Sequence, residues 1–237
     1  MMVPGFILSP NFYYYLPIYA GSSWSPLRAP QSDAQGKSTP CNPSDTTNCA
    51  LHLHSITTPH NFGPVFSSPA PGFVMGVGSI GDHLLPYEEC DTFLSADAGL
   101  TWSQVRAGAH KYEFGDSGSV VVLVDDEAKA DAVRYSTNMG KEWKSYTLPL
   151  SLRARVLLTI PDSTSQKFIL LGQVARRDQK DGMGRFAAVF LDFAETRTRQ
   201  CGEADFERWE ARGVGNECIM GHKVRCPFSG RADGMVC

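Results

Sequence analysis

The apolar positions of this chain fall into short runs, not into long periodic stretches. Residues 119–124 form a β-branched run that suits a buried strand. Residues 132–136, 144–148, 155–160, 167–174 and 187–193 follow as further strands, each bounded by turn residues. Upstream, 51–56 and 73–80 read the same way. No long amphipathic helix is expected before residue 200. Residues 205–211 are expected to form one short helix, with Phe206 and Trp209 three apart on one face.

A repeat organises these runs. Ser95-Ala96-Asp97-Ala98-Gly99-Leu100-Thr101-Trp102 and Ser136-Thr137-Asn138-Met139-Gly140-Lys141-Glu142-Trp143 share the pattern S-x-[DN]-x-G-x-x-W. They stand 41 residues apart. A degenerate third copy ends at Gly21-Ser22-Ser23-Trp24, 78 residues before Trp102. The Asp or Asn side chain can bond nearby backbone and hold a turn. The Gly supplies a positive φ, and the Trp packs at the start of the next strand. Together these predict an Asp-box hairpin with structural residues Ser95, Asp97, Gly99, Trp102, Ser136, Asn138, Gly140 and Trp143. A period near 40 residues suits one propeller blade of four short strands. The expected fold is therefore all-β, a partial β-propeller.

Composition narrows the class. The chain has 237 residues, 42% hydrophobic and 20% charged, near the average of globular proteins. Its 22 glycines and 15 prolines fit many short strands joined by turns. The formal net charge of -3, without a basic stripe, gives no nucleic-acid footprint. Seven cysteines at wide, irregular spacing, with no C-x-x-C pair, favour disulfides in an oxidising compartment over a zinc site. Cys41 and Cys49 flank an Asn-Pro-Ser-Asp turn region and are candidates to close a small loop. Cys90 reads as a buried core thiol. No run reaches the about 18 apolar residues of a membrane span. The segment from Gly5 to Gly21 lacks the basic start of a signal peptide.

Several stretches, in order, resemble the vacuolar protein sorting ten domain of the sortilin family, most of all its fungal receptors. They are Leu51-His52-Leu53-His54-Ser55, Val65-Phe66-Ser67-Ser68-Pro69-Ala70-Pro71-Gly72 and Leu85-Pro86-Tyr87-Glu88-Glu89-Cys90-Asp91-Thr92-Phe93-Leu94-Ser95. Tyr112-Glu113-Phe114-Gly115-Asp116-Ser117-Gly118, Tyr135-Ser136-Thr137 and Leu191-Asp192-Phe193 continue the match. Arg199-Gln200-Cys201, Asp205-Phe206-Glu207-Arg208-Trp209 and Cys218-Ile219-Met220-Gly221-His222-Lys223 close it. The resemblance implies the last blades of a propeller over 21–200 and a truncated cysteine-rich module over 201–237, after an atypical segment at 1–20. It also implies pairing of Cys201 with Cys237. The implied function is the lumenal cargo-binding region of a sorting receptor. Such a receptor carries soluble hydrolases from the Golgi to the vacuole or endosome, by protein–protein contact. The implied setting is the Golgi and endosomal lumen, as part of a membrane receptor, although this chain shows no anchor. The resemblance carries no ligand-binding residue onto this chain.

A hydrolytic reading competes with this one. An Asp-box glycosidase of the sialidase type would need an arginine cluster, an acid/base and a Tyr nucleophile. Its Arg-Ile-Pro string is replaced here by Leu158-Thr159-Ile160-Pro161, with Thr159 where the arginine would stand. Such a hydrolase fragment, or a non-functional truncated remnant, is the alternative reading. His52 and His54 alternate on one strand face without an evident third ligand, so hydrogen bonding is expected of them rather than metal binding. Asp125-Asp126-Glu127 reads as a solvated loop, and residues 176–182 as a charged hairpin tip. No catalytic residue, cofactor or metal ligand is expected.

Overall fold

Short alternating runs can satisfy their backbone only by pairing with one another, and they do so in sequence order. The computed structural model describes residues 15–18, 23–54, 72–174, 184–196, 206–210 and 225–229. For 15–18, 23–24, 206–210 and 225–229 it describes the backbone alone. Beyond short 3-10 turns, every regular element among the described residues is a strand. A first hairpin pairs β1 (Tyr15–Ile18) with β2 (Ser23–Pro26). A four-stranded antiparallel sheet follows, made of β3 (Ala50–Leu53), β4 (Val74–Gly81), β5 (Asp91–Ser95) and β6 (Ser103–Arg106).

The next six strands form one curled sheet in chain order. They are β7 (His110–Gly115), β8 (Val120–Asp125), β9 (Ala130–Ser136), β10 (Lys144–Leu158), β11 (Lys167–Val174) and β12 (Arg185–Asp192). Strand β10 has two partners. Lys144 to Thr147 pair with β9, and Arg153 to Leu158 pair with β11, with a register shift between Thr147 and Leu152. Its first half is thus the fourth strand of a second blade, and its second half is the first strand of a third. The architecture is a partial β-propeller of successive antiparallel blades.

Two expected boundaries are corrected here. The runs at 144–148 and 155–160 are one 15-residue strand, because the turn residues between them, Pro149 among them, bend the strand without ending it. The expected helix at 205–211 is instead strand β13 (Phe206–Glu210), paired with β14 (Arg225–Ser229), Phe206 opposite Ser229. A helix that short leaves most of its end groups without partners, whereas an adjacent strand satisfies them.

The blades pack face to face. In β8, Val121 and Leu123 join a cluster with Met75, Leu94, Tyr112 and Phe114 of the first blade's contact. Val120, Val122 and Val124 turn the other way, onto Leu152, Phe168, Leu170 and Leu191. The unbroken Val-Val-Val-Leu-Val run is thus explained by burial on both faces. The first blade's other face places Leu51, Leu53, Phe93 and Trp102 against Leu27. Close approach is required at Gly115, where a Cβ would fall 2.5 Å from both Phe168 Cζ and the Ser165 carbonyl. The far face of the third blade is uncovered: Ile169 is 39%, Leu171 37%, Phe186 76% and Phe190 63% exposed.

A buried polar network runs through the blades. Lys111 Nζ on β7 lies 2.7 Å from Asp126 Oδ1, with side chains 2% and 4% exposed. Tyr87 Oη, from the first blade's loop, donates to Asp126 Oδ2 at 2.9 Å. Arg153 Nη2, from the third blade, donates to the Asp126 carbonyl at 3.3 Å and reaches Glu127 Oε2 at 3.3 Å. The expectation of a solvated 125–127 loop is therefore corrected for Asp126, which is buried because its carboxylate has a cation and a phenol to hold it. Lys111→Met leaves that carboxylate buried without its ammonium and should cost about 3–5 kcal/mol. Urea denaturation checks this: a loss under about 1 kcal/mol, the range of exposed pairs, would show that the pair is in effect solvated.

Candidate functional surface

Both S-x-[DN]-x-G-x-x-W segments close the hairpin between the third and fourth strands of their blades. In the first, Ser95 Oγ donates to Asp97 Oδ1 at 2.8 Å and accepts from Gly99 N at 2.8 Å. Thr101 N donates to Asp97 Oδ1 at 2.8 Å, and Trp102 Nε1 to the Gly99 carbonyl at 3.0 Å. The second repeats this. Gly140 N donates to Ser136 Oγ at 2.9 Å, Glu142 N to Asn138 Oδ1 at 2.9 Å, and Trp143 Nε1 to the Gly140 carbonyl at 3.0 Å. Ser136 Oγ also donates to Asn138 Oδ1 at 3.0 Å.

These bonds hold an otherwise disfavoured backbone. Ala98 has φ 61 and Met139 φ 62, left-handed values that a side chain ordinarily avoids. Gly140 at φ 78 has a second constraint, since a Cβ there would overlap Leu94 Cδ2 of the first blade. Burial pushes the Asp97 carboxyl up, but bonds from Thr101 and Ser95 outweigh it and leave the pKa below its ordinary value. For the degenerate copy, Trp24 stands on β2 opposite Pro17. The turn at 19–22 lies outside the described residues.

A cleft of about 500 Å³ opens between the two box hairpins and residues 30–34. Trp102, Trp143, Gln104, Lys141, Asp33 and Thr101 are among its walls. Its volume lies in the range of small-molecule pockets. The 30–34 wall is held from several sides. Asp33 Oδ1 accepts from Gln35 N and Lys37 N, both at 2.9 Å, and Ala34 N donates to Gln104 Oε1 at 2.9 Å. Further along the chain Cys41 and Cys49 are disulfide-bonded, with Cα atoms 5.7 Å apart. Cys201 and Cys237 lie outside the described residues. The sequence reading missed this wall, although Asp33 followed by Gly36 at φ 80 was a usable turn signal.

The histidines are absorbed by backbone and burial. His52 Nε2 lies 3.1 Å from the Gly81 carbonyl and His54 Nε2 3.1 Å from the Leu85 carbonyl. The His54 ring also meets Tyr87 edge-on at 5.2 Å and approaches Cys90 Sγ at 3.5 Å. Burial lowers the His54 pKa, while the Leu85 carbonyl and Glu88 pull against it. Burial likewise lowers that of His110, against the Gly108 carbonyl and Asp125. Burial, with Asp91 beside it, pushes the Cys90 thiol up to about 12, so it is protonated and inert at neutral pH. Among the described residues, no three His, Cys, Asp or Glu side chains are grouped to hold a metal ion. Thr159 Oγ1 donates to the Lys167 carbonyl at 2.7 Å, closing a strand connection. No helix among the described residues is long and apolar enough to cross a membrane.

Two expectations follow. Asp97→Ala removes the acceptor for Thr101 N and should destabilise the fold by about 1–3 kcal/mol in chemical denaturation; an unchanged midpoint would mean the hairpin holds without its carboxylate. The second concerns acid. His54 and His110 have folded pKa values below their unfolded ones, so the unfolded chain binds the proton more readily. Their stabilising contribution is complete above about pH 6.5 and is lost as the pH falls toward the folded values. The melting temperature should therefore fall between pH 7 and pH 5.5, and His54→Gln should flatten that slope. Equal slopes in the variant and the parent would remove His54 from the account.

Comparison with known proteins completes the picture. Residues 19–157 match the family Sortilin-Vps10, described as sortilin, neurotensin receptor 3, and residues 159–237 match its C-terminal counterpart. A protein of Laccaria bicolor named vacuolar protein sorting/targeting protein 10 is 60% identical over 192 residues, covering 81% of this chain and 13% of that protein. Its namesake in Mycosarcoma maydis is 55% identical over 204 residues, covering 86% of this chain and 14% of the relative. That in Uncinocarpus reesii is 52% identical over 191 residues, covering 79% and 12%. The chain thus spans about an eighth of the length of these relatives. Blades in sequence order, two matching box hairpins and a family match over more than half the residues lead to one conclusion: the chain belongs to the Sortilin-Vps10 family of vacuolar sorting receptors.

Proposed function

We propose that this chain is part of the lumenal cargo-binding region of a sorting receptor that carries soluble hydrolases from the Golgi to the vacuole or endosome. The observation that carries the reading is the match of residues 19–157 to the sortilin family, together with relatives named vacuolar protein sorting/targeting protein 10. In this reading, residues 21–200 supply the last propeller blades and 201–237 begin the cysteine-rich module. The parent receptor sits in Golgi and endosomal membranes. Binding is by protein–protein contact, and the described face best shaped for it is the cleft walled by Trp102 and Trp143. Chemistry has little support: Cys90 is a protonated thiol, and Thr159 stands where a sialidase-type arginine would be.

The test uses the full-length receptor in its own cell. Deleting the receptor should divert a soluble vacuolar hydrolase into the medium, and the intact receptor should restore its retention. A receptor carrying Lys141→Glu, a charge reversal at the cleft wall, should restore it less well. Retention of the hydrolase without any receptor would sink the sorting reading. Turnover of a fluorogenic sialoside by the purified chain would instead establish the Asp-box hydrolase.

A further inference from the structure

The first two blades meet mainly through apolar side chains, but one margin of the contact is built from arginines. The register of β5 and β6 places Thr92 opposite Arg106 and Phe93 opposite Gln104. Phe93 packs on the first blade's far side, with Leu27 and Leu51. Thr92 and Arg106 therefore face the second blade, and Thr92 Oγ1 lies 3.2 Å from His110 Nδ1 there. On the second blade, Arg134 stands opposite Leu123, whose side chain is in the cluster shared with the first blade. Arg134 therefore faces back toward Arg106. Two half-buried guanidinium groups thus come from opposing sheets to one margin, with the buried His110 beside them.

Nothing among the described residues neutralises them. Neither Arg106 nor Arg134 makes a side-chain hydrogen bond or an ion pair there. The carboxylates near them are engaged elsewhere. Asp91 accepts from Gly108 N at 2.7 Å and from Gln104 Nε2. Asp125 Oδ1 accepts from Glu127 N at 2.9 Å and Ala128 N at 2.6 Å. Burial and the neighbouring Arg134 both push the Arg106 pKa down, the sign of like charges held together. A guanidinium presents a planar fork of N–H donors that matches an oxyanion in a bidentate way. One oxyanion between the two forks would turn their repulsion into attraction.

We propose that Arg106 and Arg134, with His110 beside them, form an oxyanion-binding site at the junction of the first two blades, which takes a free phosphate or sulfate or the carboxylate of an acidic peptide. The site stands on these residues alone and does not depend on the sorting function. It lies on the blade junction itself, so an occupant also ties the two sheets together.

The test is a titration of the full chain with sodium sulfate against sodium chloride at matched ionic strength. Sulfate should raise the melting temperature and saturate; chloride should not. Arg106→Gln and Arg134→Gln should each raise the melting temperature in chloride, because each relieves the repulsion. Each should also weaken sulfate binding by about tenfold or more, the loss expected for one charge-assisted contact. An undiminished sulfate response in the double variant overturns the proposal. A measurement that needs no variant is phenylglyoxal modification mapped by mass spectrometry, in which sulfate should protect both arginines; modification at the same rate with and without sulfate also overturns it. A glutamate-rich peptide that displaces sulfate identifies a carboxylate ligand, whereas displacement by inorganic phosphate alone identifies a free oxyanion.

Discussion

The buried pair of Lys111 and Asp126 is the constraint on which the arrangement of the blades depends. Apolar packing between sheets is non-directional: it favours contact but does not fix register. A charge pair at 2.7 Å, with side chains 2% and 4% exposed, tolerates little displacement, because neither ion has water to fall back on. Tyr87 from the first blade and Arg153 from the third converge on the same aspartate, through its carboxylate and its carbonyl. One residue just past the end of β8 therefore indexes three successive sheets against one another. The apolar clusters on either side of β8 then fill the space that this geometry defines.

The box hairpins complement this long-range lock with a local one. Each is closed by bonds among residues a few positions apart, so each can form before its blade finds its neighbours. Their tryptophans then couple the local turn to the global packing. Trp102 is 4% exposed, in the cluster with Leu27 and Phe93, while its indole N–H still serves the Gly99 carbonyl. The cleft beside them arises where two similar hairpins stand on adjacent blades, with residues 30–34 as its further wall.

Legibility in the sequence followed the range of the interaction. The strands at 119–124 and 167–174 were readable because each is a short apolar run bounded by turn residues. The box segments were readable because their chemistry is complete within eight residues. Asp126 was misjudged because its partners, Lys111, Tyr87 and Arg153, are distant in sequence, and an acidic triplet looks solvated from within. The strand at Phe206–Glu210 was misread because its partner is Arg225–Ser229, and three-residue aromatic spacing fits a helix as well. The cleft could not be read at all, since residues 30–34 meet the hairpins only in space. No sequence pattern shows that Arg106 and Arg134 face one another; that follows from a register shift in β5–β6.

Strand β10 has a mechanical meaning. The second and third blades share it as one continuous piece of extended chain, hydrogen-bonded to β9 at one end and to β11 at the other. No loop separates them, and the backbone between Thr147 and Leu152 is bent but unbroken. A load or a loss of order in either sheet passes directly along the common backbone into the other. The first and second blades share no strand: the chain passes between them through residues 107–109, and they hold each other by side chains, through the Tyr87–Asp126 bond and the apolar cluster around Val121 and Leu123. The second and third blades are thus coupled through backbone, and the first and second through side chains.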